Sequence, residues 1–141
     1  MKNIYEIWDE FELADSKKER MAIIEKNLSK TLVDVLELTF HPKYEWLIQE
    51  VPHNYMPTWE NKNGFSYCQL STELRKLYMF QKGNPTAEAL TPKRQNELLI
   101  LLLESLEPRE AEVVMGIFKK DQGVPGLTYK FVKEAFNKML P

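Results

Sequence analysis

The sequence predicts an all-α fold: a single-domain, irregular bundle of about eight helices over residues 1–141. Three observations carry that reading. Apolar residues recur at i, i+3, i+4 and i+7 along most of the chain, which is the spacing of one helical face. No stretch of strand length alternates apolar with polar residues. Between the periodic segments stand Ser, Thr, Asp, Pro and Gly in the positions that start and stop helices. A composition of 43% hydrophobic and 28% charged residues is that of a globular chain of one ordinary domain.

Ile4, Ile7, Trp8 and Phe11 make the buried face of a first helix. Asp15 or Ser16 caps a second, with Glu19 placed for a capping box and Asn27 at its end. Its apolar face is Met21, Ile24 and Leu28. Ser29 caps a third helix with Leu32, Val35, Leu36 and Thr39 inward. His41-Pro42 stops it, because a residue before proline avoids helical dihedrals. A short fourth helix is expected over residues 43–49, carrying Tyr44, Leu47 and Ile48.

Residues 51–66, "VPHNYMPTWENKNGFS", read as a long ordered loop lying over the core, because Tyr55, Met56, Trp59 and Phe65 are too apolar for a free linker. Helix resumes with Leu70, Leu74, Leu77 and Tyr78 and breaks at "QKGNPTAEAL", where Gly83 suits a helix end. Thr91 caps the next helix and Pro92 takes its first position. That helix contains "LLILLL", apolar all round, which predicts the central helix at residues 92–106. Glu107-Pro108 opens another, with Ala111, Val114, Met115 and Phe118 inward. Thr128 starts the last helix, with Phe131, Val132, Ala135, Phe136 and Met139 toward the core.

The residues point away from several chemistries. Cys68 is the only cysteine, so neither an intrachain disulfide nor a cysteine-rich zinc site is expected. His41 and His53 read as loop histidines. There is no phosphate-binding Gly-x-x-x-x-Gly-Lys loop and no His-Glu-x-x-His, so no nucleotide cofactor, no metal and no catalytic residue is assigned. Glu104, Glu107, Glu110 and Glu112 crowd one helix junction and read as a solvated acidic face. The longest apolar run, residues 98–103, is far below the ~20 residues of a membrane span, and the start lacks a signal-peptide core. A cytoplasmic protein without a membrane partner is the expectation.

Charge is uneven. The formal net charge is −2, yet the first 14 residues set Lys2 against Glu6, Asp9, Glu10 and Glu12. Residues 117–141 set Lys119, Lys120, Lys130, Lys133 and Lys138 against Asp121 and Glu134. Within "KKDQGVPGLTYKFVKEAF", Gly123 and Gly126 allow close backbone approach, and the helix start at Thr128 offers free N–H groups to an anion. Lys119, Lys120 and Lys130 are placed to neutralise phosphates, and Lys130, Lys133 and Asn137 share an exposed face. Without an arginine, the segment would grip a nucleic-acid backbone and not read bases. The same residues also describe a plain helix end, a glycine turn and a capped helix start.

Three stretches in order resemble the all-helical N-terminal DNA-binding domain of ATP-dependent DNA ligases of the T-even phage type. They are "DSKKERMAIIEKNLSKTLVDVLELTF" (residues 15–40), "LYMFQKGNP" (77–85) and "GLTYKFVKEAF" (126–136). Gly83 and Asn84 match the family's Gly-Asn, with Lys82 in place of its Thr; Gly126 and Thr128 match its Gly-x-Ser/Thr. The adenylating Lys-x-Asp-Gly motif is absent, so the resemblance implies the helical module alone, phage-encoded and non-enzymatic. It implies sequence-independent contacts to duplex DNA through Lys82, Gly83, Asn84, Lys119, Lys120, Gly126, Thr128, Lys130 and Lys133. The alternative on the same fold is an adaptor for a sliding clamp, another replication protein or a host factor, anchored by Tyr55, Trp59 and Phe65.

Overall fold

The computed structural model describes residues 2–48, 50, 52, 55–56 and 69–141. Among them the chain forms α1 (Ile4–Leu13), α2 (Lys17–Lys26), α3 (Lys30–Phe40), α4 (Leu70–Glu73), α5 (Pro85–Ala89), α6 (Pro92–Ser105), α7 (Pro108–Lys119) and α8 (Tyr129–Ala135). A 3₁₀ segment, Leu74–Phe80, continues α4. The described residues contain no strand, only an isolated antiparallel bridge between Trp46 and Gln81. The all-α class is therefore as the sequence predicts.

Local chemistry sets most helix starts, where N–H groups lack intrahelical acceptors. Ser16 Oγ accepts from Glu19 N–H, while the Glu19 carboxylate reaches back to the Asp15 N–H. Ser29 and Thr91 accept from the N–H groups of Leu32 and Arg94. Thr128 does the same for Phe131. Glu107 accepts from both Arg109 and Glu110 ahead of Pro108.

The core is one cluster to which every helix except α2 and α5 gives at least two buried apolar side chains outright or in its continuation; α2 adds Ile24. Its centre is α7 and not α6. α7 packs against α1, α3 and α6, and its residues from Val113 to Phe118 are all buried. Leu101, in the middle of the apolar run, is 63% exposed. A helix can be apolar all round and still lie at the edge. Gly116 and Ala111 leave α7 slim enough for neighbours on every side.

Three further expectations are corrected. The expected helix at 43–49 is absent over its described residues, 43–48. That segment pairs with the end of the 3₁₀ segment: Leu47 N–H donates to Phe80 O, and Lys82 N–H to Glu45 O. Pairing buries Trp46 between Tyr44 (5.9 Å, stacked) and Phe118 (5.3 Å). A helix this short has little stability of its own to oppose such burial. Leu28 is 57% exposed, lying past the end of α2, and Tyr78 is exposed because the 3₁₀ segment turns Leu77 and Phe80 inward on either side of it. The stretch around Asn84, expected only as a break, forms α5, with Asn84 Oδ1 accepting from Thr86 N–H. Of the loop expected at 51–66, only Pro52, Tyr55 and Met56 are described; Trp59 and Phe65 lie outside the described residues.

Besides the buried Thr39, Glu73, Gln95 and Glu107, one half-buried polar side chain links several elements of this core. Gln122, just beyond α7, accepts at Oε1 from the Trp8 indole N–H (3.3 Å). Its Nε2 donates to Thr39 Oγ1 (3.0 Å) and Val113 O (3.1 Å), and Thr39 in turn donates to Val35 O. The pattern has one direction only: an indole can only donate and a carbonyl can only accept. The amide thus ties α1, α3 and α7 to the α7–α8 loop. Gly116 makes room for it, since a Cβ there would lie 2.7 Å from Gln122 Oε1.

Gly116→Ala is therefore expected to lower stability by about 1–3 kcal/mol in urea unfolding, by displacing the amide from its partners. In a Gln122→Ala background the same substitution should become neutral or stabilising by up to about 1 kcal/mol, the ordinary helix preference for alanine. A cost that stays the same without the amide would contradict the contact as the reason for glycine.

Candidate nucleic-acid interface

The α7–α8 loop is built by four devices in sequence. Lys120 ends α7 in the left-handed conformation (φ 60°). Asp121 Oδ1 accepts from Gly123 N–H, closing a tight turn. Gln122 then plugs into the core. Val124 and Leu127 are buried on either side of Gly126, whose φ is +86°. The loop ends at the Thr128 cap, and α8 is seated by its buried Phe131 and Val132.

The loop does not present all its lysines. Lys120 points inward, and its Nζ donates to His41 O (2.7 Å) and Tyr44 O (2.9 Å). Burial pushes its ammonium below the ordinary lysine value. Lys120 is thus a strut between α7 and the segment after α3, correcting its assignment as a phosphate contact. Lys119 is exposed on the wall of an open groove of about 400 Å³ shared with Tyr55, Glu112, Met115 and Asp121.

The Lys82–Asn84 turn is also corrected. Gly83 has φ +88°, and its N–H donates to the Glu88 carboxylate (2.9 Å). Asn84 caps α5, and the Lys82 N–H is taken by Glu45 O. A carboxylate from within the chain already satisfies the amide a phosphate would need. Only the exposed Lys82 ammonium remains available there.

Exposed lysines stand on α8 and at the start of α2, as they do elsewhere on the surface at Lys26, Lys82, Lys93 and Lys119. Lys130 and Lys133 are exposed on α8, as their spacing predicts, while Asn137, expected on the same helical face, is exposed beyond the end of α8 at Ala135; neither lysine forms an ion pair among the described residues. Lys17 pairs with Glu134, joining α2 to α8. Phe11 meets Phe131 edge-on at 5.2 Å beneath that seam. Arg20 lies at the same seam, over the Phe11 ring and against Gly126. Its position needed the fold to be seen, because nothing in "DSKKER" distinguishes it from the lysines beside it. Gln122 and Gly116 were likewise missed; a lone glycine inside an apolar helix was the one available signal.

The acidic residues collect elsewhere. Arg109 holds Asp9 through two bonds of 2.7 and 2.8 Å, keeping that carboxyl below the usual range, and lies over the Tyr5 ring. Glu107 is only 5% exposed, so its reading as part of a solvated face is corrected. Burial raises its pKa against the pull of its two N–H donors. Glu110 is raised too, by burial and then by Glu107. Tyr55 is partly buried, its phenol pushed up by burial and by Glu112, Glu104 and Glu107. No group of His, Cys, Asp or Glu among the described residues is arranged to hold a metal ion. Nor is any described helix long and apolar enough to cross a membrane.

Fold and charge together define an all-helical protein with a cationic edge at α2 and α8 and an acidic end at the start of α7. Residues 7–124 match the model of a family of unknown function, DUF6433, and the chain belongs to that family. No curated protein matches it. The matched region holds Trp8, Thr39, Val113, Gly116 and Gln122, and ends before Gly126 and α8.

The raised pKa of Glu107 makes a pH prediction. Its contribution to stability is fully present below the unfolded carboxylate value and is lost as pH rises through the higher folded one. Glu107→Gln keeps an oxygen for the two N–H groups and carries no charge. In urea unfolding the variant should gain on the native protein as pH rises from about 4 to about 7. A stability difference independent of pH would contradict the assignment.

Proposed function

We propose that the protein is a non-enzymatic accessory protein that holds duplex DNA by sequence-independent contacts to its backbone. The observation that carries this reading is the pair Lys130 and Lys133, exposed on α8 without an ion-pair partner among the described residues. Across the seam, Lys17 and Lys18 are exposed at the start of α2. Lysines act on phosphate as point charges and neutralise without reading sequence. The acidic end at α1 and α7 repels the same polyanion, so the net charge of −2 orients the approach and does not forbid it. The resemblance of Gly126–Phe136 and its two companion stretches to the ligase helical domain supports the same partner, with phage DNA replication as the setting.

A second reading, an adaptor that docks another protein, is supported by Leu101, which stands exposed over a groove formed with Met79, Leu98 and Leu102. Exposed apolar clusters of this kind favour protein partners.

Fluorescence anisotropy with a duplex of arbitrary sequence separates the two. Binding should weaken steeply with salt and be indifferent to sequence. Lys130→Glu with Lys133→Glu should weaken it at least about tenfold and flatten the salt dependence by about two phosphate contacts. Lys120 is unsuited to the test because its loss would damage the fold. No binding at micromolar protein and low salt would end the DNA reading and leave the adaptor.

A further inference from the structure

Arg20 is a cation without an anion. Its Nε is buried and has no hydrogen-bond partner. No carboxylate among the described residues pairs with it. Its two Nη groups also lack partners but are not enclosed, and the side chain as a whole is only partly buried. A buried donor left unmade is costly, and native structures seldom keep one without a reason.

The guanidinium is nevertheless held firmly. Its Cζ lies 5.8 Å from the centroid of the Phe11 ring. On the other side it fills the space a side chain at Gly126 would occupy: a Cβ there would lie 2.8 Å from Nη1 and 2.9 Å from Cζ. Gly126 is thus required twice, for its φ of +86° and for this clearance. A planar cation clamped between a ring and a glycine backbone, with its outer donors free, is preorganised for a tetrahedral oxyanion.

The surroundings suit the same ligand. Lys17 neutralises Glu134, the carboxylate of α8 at this seam, and its pKa is depressed first by that bond and then by the charges of Lys17 and Lys130. An arriving anion therefore meets cations and an already paired acid.

We propose that Arg20 is a phosphate contact, with its Nη groups as donors and Lys17 and Lys130 as flanking charges. This rests on the DNA reading above and supplies the arginine that the 126–136 segment itself lacks. The chemistry recognised is a phosphate oxyanion, whether in a DNA backbone or in a free phosphate.

The test is the Arg20 side-chain Nε–Hε resonance, assigned by its disappearance in Arg20→Lys and followed during titration with a duplex and, separately, with inorganic pyrophosphate. The expected result is a shift on adding duplex, with Arg20→Lys weakening duplex binding about tenfold although charge is conserved. A shift with pyrophosphate but no duplex binding would uphold the phosphate site and overturn the DNA reading. Duplex binding without a shift, and unchanged in Arg20→Lys, would overturn the Arg20 proposal while the DNA reading stood. Silence toward both ligands would overturn both.

Discussion

The side-chain amide of Gln122 is the contact on which the arrangement of the helices depends. It uses both of its ends inside the core, on Trp8 of α1, Thr39 of α3 and Val113 of α7. Three helices that meet largely through non-directional apolar packing, with the Arg109–Asp9 pair at the surface between α7 and α1, receive a directional link at the core. A polar group in a core is costly when half-satisfied and specifying when fully paired. Here it is paired on both ends, and Gly116 exists to admit it. Because Gln122 belongs to the α7–α8 loop, the same link holds the chain that follows. The buried Val124 and Leu127 of the loop and Phe131 and Val132 of α8 then seat the rest of the segment.

The charge layout follows from that placement. With α8 packed against α3 and its Glu134 beside the start of α2, Lys17 meets Glu134, Phe11 meets Phe131, and Arg20 fits over Gly126. The cations of two distant segments become one edge. The acids, meanwhile, are consumed by structure: Glu107 caps α7, Glu88 satisfies Gly83, and Asp9 binds Arg109. Several charges that look free in the sequence therefore do internal work, and Lys120 is the plainest case. Lys130 and Lys133 on α8 stay exposed and without an ion pair among the described residues, as do Lys18, Lys26, Lys93 and Lys119 elsewhere.

The caps and helix stripes were legible because they are local. Ser16, Ser29, Thr91, Glu107 and Thr128 act on N–H groups two or three residues away, within any sequence window. What was not legible spans the chain. Lys120 donates to carbonyls 79 and 76 residues distant, and Gln122 reaches Trp8 across 114. The pairing of residues 43–48 with the Phe80–Lys82 turn overrode a helical pattern for the same reason. The central helix was misplaced because hydropathy records how apolar a segment is and not which neighbours reach it. In the candidate site, Lys130 and Lys133 were visible from their spacing alone. Arg20 was not, since it becomes distinctive only when Gly126 is laid against it.

The central claim is that the half-buried Gln122 amide is held by the buried Trp8, Thr39 and Val113. Hydrogen exchange of the Trp8 indole N–H and the Gln122 side-chain N–H₂ tests it directly by NMR. The account predicts that both exchange far more slowly than in an open chain, and that Trp8 loses protection when Gln122 is replaced by Ala. Exchange of the Gln122 amide at the rate of a solvated glutamine would contradict it.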